Sequence, residues 1–96
     1  MAQQPHYVSE TQILRRVARN PECRFVWTKH ALKAVADDGR TALDVEQALT
    51  NGQVVLHEQK QDLLWRVTGS DLDGRKIQVV VAVTEQEIVI KVVTTF

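Results

Sequence analysis

The stretch that decides the fold reads VVLHEQK (54–60), LLWRVTGS (63–70), RKIQVVVAVT (75–84) and EIVIKVVTT (87–95). Val, Ile and Thr dominate these runs, as they do in strands, and the pieces between them are short: Gln61-Asp62, Asp71-Leu72-Asp73-Gly74 and Glu85-Gln86. Joints of that length connect antiparallel neighbours, so the pattern predicts a four-stranded meander. Alternation places Leu63, Trp65 and Val67 on one face, with Ile77, Val79, Val81 and Val83 and with Ile88, Ile90 and Val92. Arg66, Thr68, Gln78, Val80, Lys91 and Thr95 take the other parity, a semi-polar face.

A sheet with one apolar face needs a covering layer, and the first half of the chain supplies helices. Ser9 and Gln12 have the spacing of a capping box, and Ile13, Leu14, Val17 and Ala18 line one side of a helix that Asn20-Pro21 ends. Arg24–Trp27 reads as a short apolar connector or edge strand. Thr28 caps a second helix over Lys29–Asp37, with Gly39 as a left-handed residue after it. Thr41 and Asp44 open a third helix through Leu49, which Asn51-Gly52 ends in the same manner. The expected organisation is a flexible tail over residues 1–8 and one α+β domain over 9–96, with the N-terminal helices packed on one face of a four-stranded antiparallel β-meander.

Ninety-six residues support one modest core. A lone Cys23 excludes an internal disulfide and suits a reducing compartment. Met1–Glu10 lacks the apolar core of a signal peptide, and the longest apolar run, Val79–Val83, is far too short to cross a bilayer. The chain reads as soluble and cytoplasmic. Its net charge of zero divides into +3 over residues 1–40 and −3 over 41–96. That balance argues against indiscriminate nucleic-acid binding and permits a local basic patch.

Several short motifs resemble a known family when taken in order: Phe25-Val26-Trp27-Thr28-Lys29-His30-Ala31, Asp38-Gly39-Arg40-Thr41, Asp44-Val45-Glu46-Gln47-Ala48-Leu49 and Gly52-Gln53-Val54. Val67-Thr68-Gly69-Ser70-Asp71, Gly74-Arg75 and the closing Ile90–Phe96 complete the set. Together they resemble the bacterial domain of unknown function 4258 family over about residues 24–96, with the first helix as an addition. That family looks like a distant relative of RelE/ParE-type toxins, including the BrnT and MqsR toxins. The resemblance implies a RelE-like fold, messenger-RNA cleavage without a metal or other cofactor, and a partner antitoxin.

Such cleavage needs a base for the 2′-hydroxyl proton, an acid for the departing 5′-oxygen and cations facing the phosphorane. His30 matches the family's recurring histidine and is the best acid–base candidate; Lys33, Arg66 and Lys91 complete the candidate catalytic set. Arg15, Arg16, Arg19, Lys29 and Arg40 are candidates for contacts with RNA or an acidic partner. Bland readings stand beside these. His30 can cap the first helical turn and bond a neighbouring strand, Arg40 can lie on an exposed loop, and the other cations can be solvated. His6, His30, His57 and Cys23 lack metal-ligand spacing, and Asp71 and Asp73 fit a turn better than paired-carboxylate chemistry. Trp27 and Trp65 read as core anchors. The alternative to a toxin is a non-catalytic interaction domain on the same scaffold, with the last strand as an edge that accepts a partner.

Overall fold

The computed structural model describes residues 7–59 and 63–95, without the side chains of 56–59 and 63. The turn expected at Gln61-Asp62 lies outside the described residues, as do His6 and Lys60. The elements run α1 (Val8–Arg19), β1 (Arg24–Trp27), α2 (Lys29–Asp37), α3 (Ala42–Asn51), β2 (Gln53–Gln59), β3 (Leu63–Ser70), β4 (Lys76–Thr84) and β5 (Val89–Thr95). The strands form one sheet in the order β1-β5-β4-β3-β2.

The α+β class and the four consecutive antiparallel strands are as expected, but the sheet has a fifth strand and is mixed. β1 pairs in parallel with β5, Arg24 opposite Val89 through Trp27 opposite Val92. Parallel neighbours need a long connection, and here α2, α3 and the whole meander separate the two strands. β5 is therefore internal, and the edges are β1 and β2. This corrects the expectation that the last strand offers a free edge. At the β2 margin the Thr11 hydroxyl of α1 accepts the Val54 N–H (2.9 Å), so a helix side chain blunts the start of that edge.

One core joins helices and sheet. Leu14, Val17 and Ala18 of α1, Ala31 and Val35 of α2, and Val45, Ala48 and Leu49 of α3 meet Val54, Trp65, Val67, Ile77, Val79, Val81, Ile90 and Val92. Phe25 and Trp27 pack against the same cluster, so both tryptophans anchor the core. On the opposite parity the one buried apolar side chain among the described residues is Val80, and it lies outside that cluster. The helices thus cover one face, and the other carries no helix.

Local corrections have local causes. α1 begins at Val8 after Tyr7 with no side-chain cap, so the Ser9/Gln12 box does not form. Gly39 is left-handed (φ 69°) as expected, whereas Gly52 is not (φ −76°). Its glycine identity follows from packing: a Cβ there would sit 2.5 Å from Val67 Cγ1 and 2.6 Å from the Ala48 carbonyl oxygen. Ile88 belongs to a turn over 85–88 with φ 56°, not to a strand. A register shift between Val80 and Val81 leaves Val93 without a partner, because Val81 opposes Val92 while Val80 opposes Thr94. That bulge turns Thr95 onto the covered face, where it is buried, rather than beside Lys91.

α1 is built into the core rather than added to it, since Leu14 has no exposed surface. Leu14→Ala is expected to cost about 3 kcal/mol, near the lower end for a fully buried leucine. Chemical denaturation measures it; a loss under 1 kcal/mol would mean that α1 is dispensable to the fold.

Candidate functional site

The sequence motifs around Arg40, Asp44 and Asp71 turn out to bind one another. Arg40 follows α2 through the left-handed Gly39, and its side chain is only 10% exposed. Arg40 Nε donates to Asp71 Oδ2 (3.1 Å), Nη2 donates to the Lys76 carbonyl (3.1 Å), and Nη1 contacts Asp38 Oδ2. Asp71 Oδ1 accepts from the Asp73 and Arg75 N–H groups (3.0 and 2.8 Å), which fixes the β3–β4 turn. Asp44 closes the capping box with Thr41 and accepts the Leu72 N–H on its other oxygen (3.1 Å). The α2–α3 corner and the β3–β4 turn are thereby clasped together.

The protonation states suit that clasp. Burial would raise the Asp71 carboxyl, but the Arg75 N–H, the Arg40 guanidinium, the Asp73 N–H and the Arg75 charge outweigh it and hold the pKa below the ordinary value. The Thr41 N–H and then the Leu72 N–H lower Asp44 in the same direction. Burial and the charge of Glu46 push the Cys23 thiol up, so it is no activated nucleophile.

Most of the cations also have partners. Arg15 donates to the Gly52 and Asn51 carbonyls (2.8 and 3.2 Å), and Arg19 to Thr50 (3.0 Å), so α1 caps the C-terminal end of α3. Arg16 pairs with Glu85 at 3.3 Å and Lys33 with Asp37 at 3.0 Å, both on the surface. Arg40 lies in the clasp rather than on an exposed loop.

His30 differs. Thr28 Oγ1 accepts the Ala31 N–H (3.0 Å) and donates to the Val93 carbonyl (2.8 Å). The cap and the strand contact that one reading gave to His30 thus belong to Thr28. His30 is exposed in the first turn of α2, with exposed Lys29 before it, and makes no hydrogen bond among the described residues.

Register gives the positions of Arg66 and Lys91. Arg66 opposes Val80 and Lys91 opposes Ala82, so both side chains belong to the parity of the helix-free face. Two strands and two residues apart, their Cα atoms are about 12 Å from each other. Lys91 is exposed and Arg66 half-buried. Val26, 45% exposed, neighbours Lys91 on β1, and β1 leads through Thr28 into the turn that carries His30. His57 is in register with Trp65 in β2. Among the described residues no three His, Cys, Asp or Glu side chains converge as a metal site requires, and no helix is long and apolar enough to cross a membrane.

These features define a two-layer α+β domain whose motif residues build a clasp and whose sheet leaves one face uncovered. Residues 27–96 match the family described as domain of unknown function (DUF4258), and the chain belongs to that family. The match begins at Trp27, so α1 and most of β1 lie outside it. No curated protein and no solved structure matches the chain.

Proposed function

We propose that this chain is a toxin-like small protein that cleaves messenger RNA without a metal, as the likeness of its family to RelE/ParE-type toxins implies. The observation that carries the reading is His30: Thr28 performs the structural work at the head of α2 and leaves the imidazole exposed. In this reading His30 takes the 2′-hydroxyl proton, the 2′-oxygen attacks phosphorus, and the P–O5′ bond breaks to leave a 2′,3′-cyclic phosphate. The same imidazole then delivers its proton to the 5′-oxygen. Lys91 and Arg66 face the charge that builds on the phosphorane. An antitoxin bound to this surface would silence the protein by occupying it.

Inducing the wild-type chain is expected to arrest growth and fragment messenger RNA. His30→Ala should cut the cleavage rate by about 10²–10⁴-fold, the range for loss of a general acid–base group. Equal growth and equally intact messenger RNA in both strains would remove the catalytic assignment.

A non-catalytic interaction domain is the second reading, and one feature favours it. Leu43 and Leu72, 64% and 59% exposed, flank the hydrogen bond that joins Asp44 to the Leu72 N–H. A stoichiometric partner lost in Leu43→Asp but kept in His30→Ala would support it; recovery of no partner would count against it.

A further inference from the structure

The charged groups are distributed unevenly over the molecule. Arg15, Arg19, Lys33, Arg40 and Arg75 spend their charge on carbonyls or carboxylates of the helical layer and the clasp, and Arg16 on Glu85 of the β4–β5 turn. Arg24, Lys76 and Lys91 make no ion pair or side-chain hydrogen bond among the described residues, and all three are exposed. Register puts all three on the helix-free face. Arg24 opposes Val89, Lys91 opposes Ala82, and Lys76 opposes Ser70, with half-buried Arg66 opposite Val80 between them. By register one acid, Glu58, has the parity of that face: it opposes Leu64 at the β2 margin, two positions from the Leu56 that opposes Arg66.

We infer that the helix-free face of the sheet is a binding path for single-stranded RNA, with Arg24 and Lys76 as phosphate contacts in addition to Lys91 and Arg66. The inference rests on the RNA reading above and adds the surface, the strandedness and the mode of recognition. Arg24 and Lys91 are one strand and two residues apart, about 8 Å between Cα atoms, and Lys91 and Arg66 about 12 Å. Arg24, Lys91 and Arg66 run obliquely across the strands as one backbone's path, and Lys76 lies one strand and four residues from Arg66, about 14 Å, toward the β3–β4 turn. Among the described residues no aromatic side chain lies on this face, because Phe25, Trp27 and Trp65 belong to the covered side. Bases therefore gain little from stacking, and binding is phosphate-driven, weakly sequence-selective and sensitive to salt.

Fluorescence anisotropy with a labelled 12-mer of 2′-O-methyluridine, which cannot be cleaved through its 2′-oxygen, tests this directly. Three to four phosphate contacts predict a log–log salt slope of roughly −2 to −3 at about −0.7 per contact. The Arg24→Glu/Lys91→Glu double variant should bind at least tenfold more weakly. An Ala42→Glu/Gln47→Glu double variant, which adds negative charge to the exposed side of α3, should stay within about twofold, both being checked for folding by circular dichroism. Equal weakening in both variants, tighter binding to a 12-base-pair RNA duplex or to poly-glutamate, or no binding at low salt would overturn the inference. Face-dependent binding without any cleavage of natural RNA would defeat the nuclease reading and leave the path intact. Cleavage that is unchanged in Arg24→Glu/Lys76→Glu would defeat the path alone.

Discussion

Gly69→Ala is expected to lower the melting temperature by roughly 10–20 °C, corresponding to a loss of about 3 kcal/mol in a domain of this size. Gly69 opposes Ile77 on the covered face, and α3 crosses directly above it. A Cβ at this position would lie 2.9 Å from the Ala48 carbonyl carbon, 3.1 Å from its Cα and closer still to its oxygen. These are backbone atoms of a helix, which cannot swing aside as a side-chain end can. The helix must lift, and lifting it opens the contacts that Ala48 and Leu49, both fully buried, make with the core. Gly39→Ala is the matched control. A Cβ there meets nothing within 4 Å, and only its φ of 69° resists the change, at about 1 kcal/mol. Thermal melts of the two variants decide the matter. Equal shifts would mean that helix–sheet proximity does not dictate glycine at position 69.

Arg40→Ala is the second large effect, with a melting temperature lower by roughly 10–20 °C, because it breaks a pair whose carboxylate stays buried. Asp71 would keep Arg75 at 3.5 Å and its backbone donors, which limits the loss, but the α2–α3 corner would lose its bonds to the β3–β4 turn. The same clasp predicts an acid limb. The Asp71 and Asp44 carboxyls have folded pKa values below their unfolded ones. Their contribution is therefore complete above the unfolded carboxylate pKa, near 4, and is lost as pH falls through the folded values. Melting temperature should be flat with respect to these groups above about pH 5 and should fall below about pH 4, less steeply in Asp71→Asn than in the wild type. A wild-type profile no steeper than that of Asp71→Asn would show that Asp71 does not govern the acid limb.

What was legible in the sequence follows from what is local. The strands of the meander, the Thr28 cap and the Thr41/Asp44 box are written within a few residues each, and all of them form. β1 was ambiguous because four residues carry too little alternation, and its partner β5 lies more than 60 residues away. The shift at Val93 has no marker in composition, so the exposed parity of Thr95 could not be corrected from the pattern alone. The clasp was visible only as motifs: Asp71 read as a turn former, which it is, while its ion pair with Arg40 spans 31 positions. Likewise the arginines of α1 formed a charge pattern, and which of them meet the end of α3 depends on how two helices pack. The uncovered face was predictable in its residues, Arg66 and Lys91 among them. The contribution of Arg24 and Lys76 depended on the parallel pairing and on knowing which other cations were already partnered.

The sheet face without helices, together with the head of α2, is the proposed working surface of the protein. Backbone amide NMR shifts measured on addition of the 2′-O-methyluridine 12-mer test it most directly. Perturbations confined to Arg24–Val26, Lys29–Ala31, Leu64–Thr68, Lys76–Ala82 and Val89–Lys91, with α1 and the exposed side of α3 unchanged, are the predicted result. Shifts centred on the helical layer, or none at low salt, would contradict it.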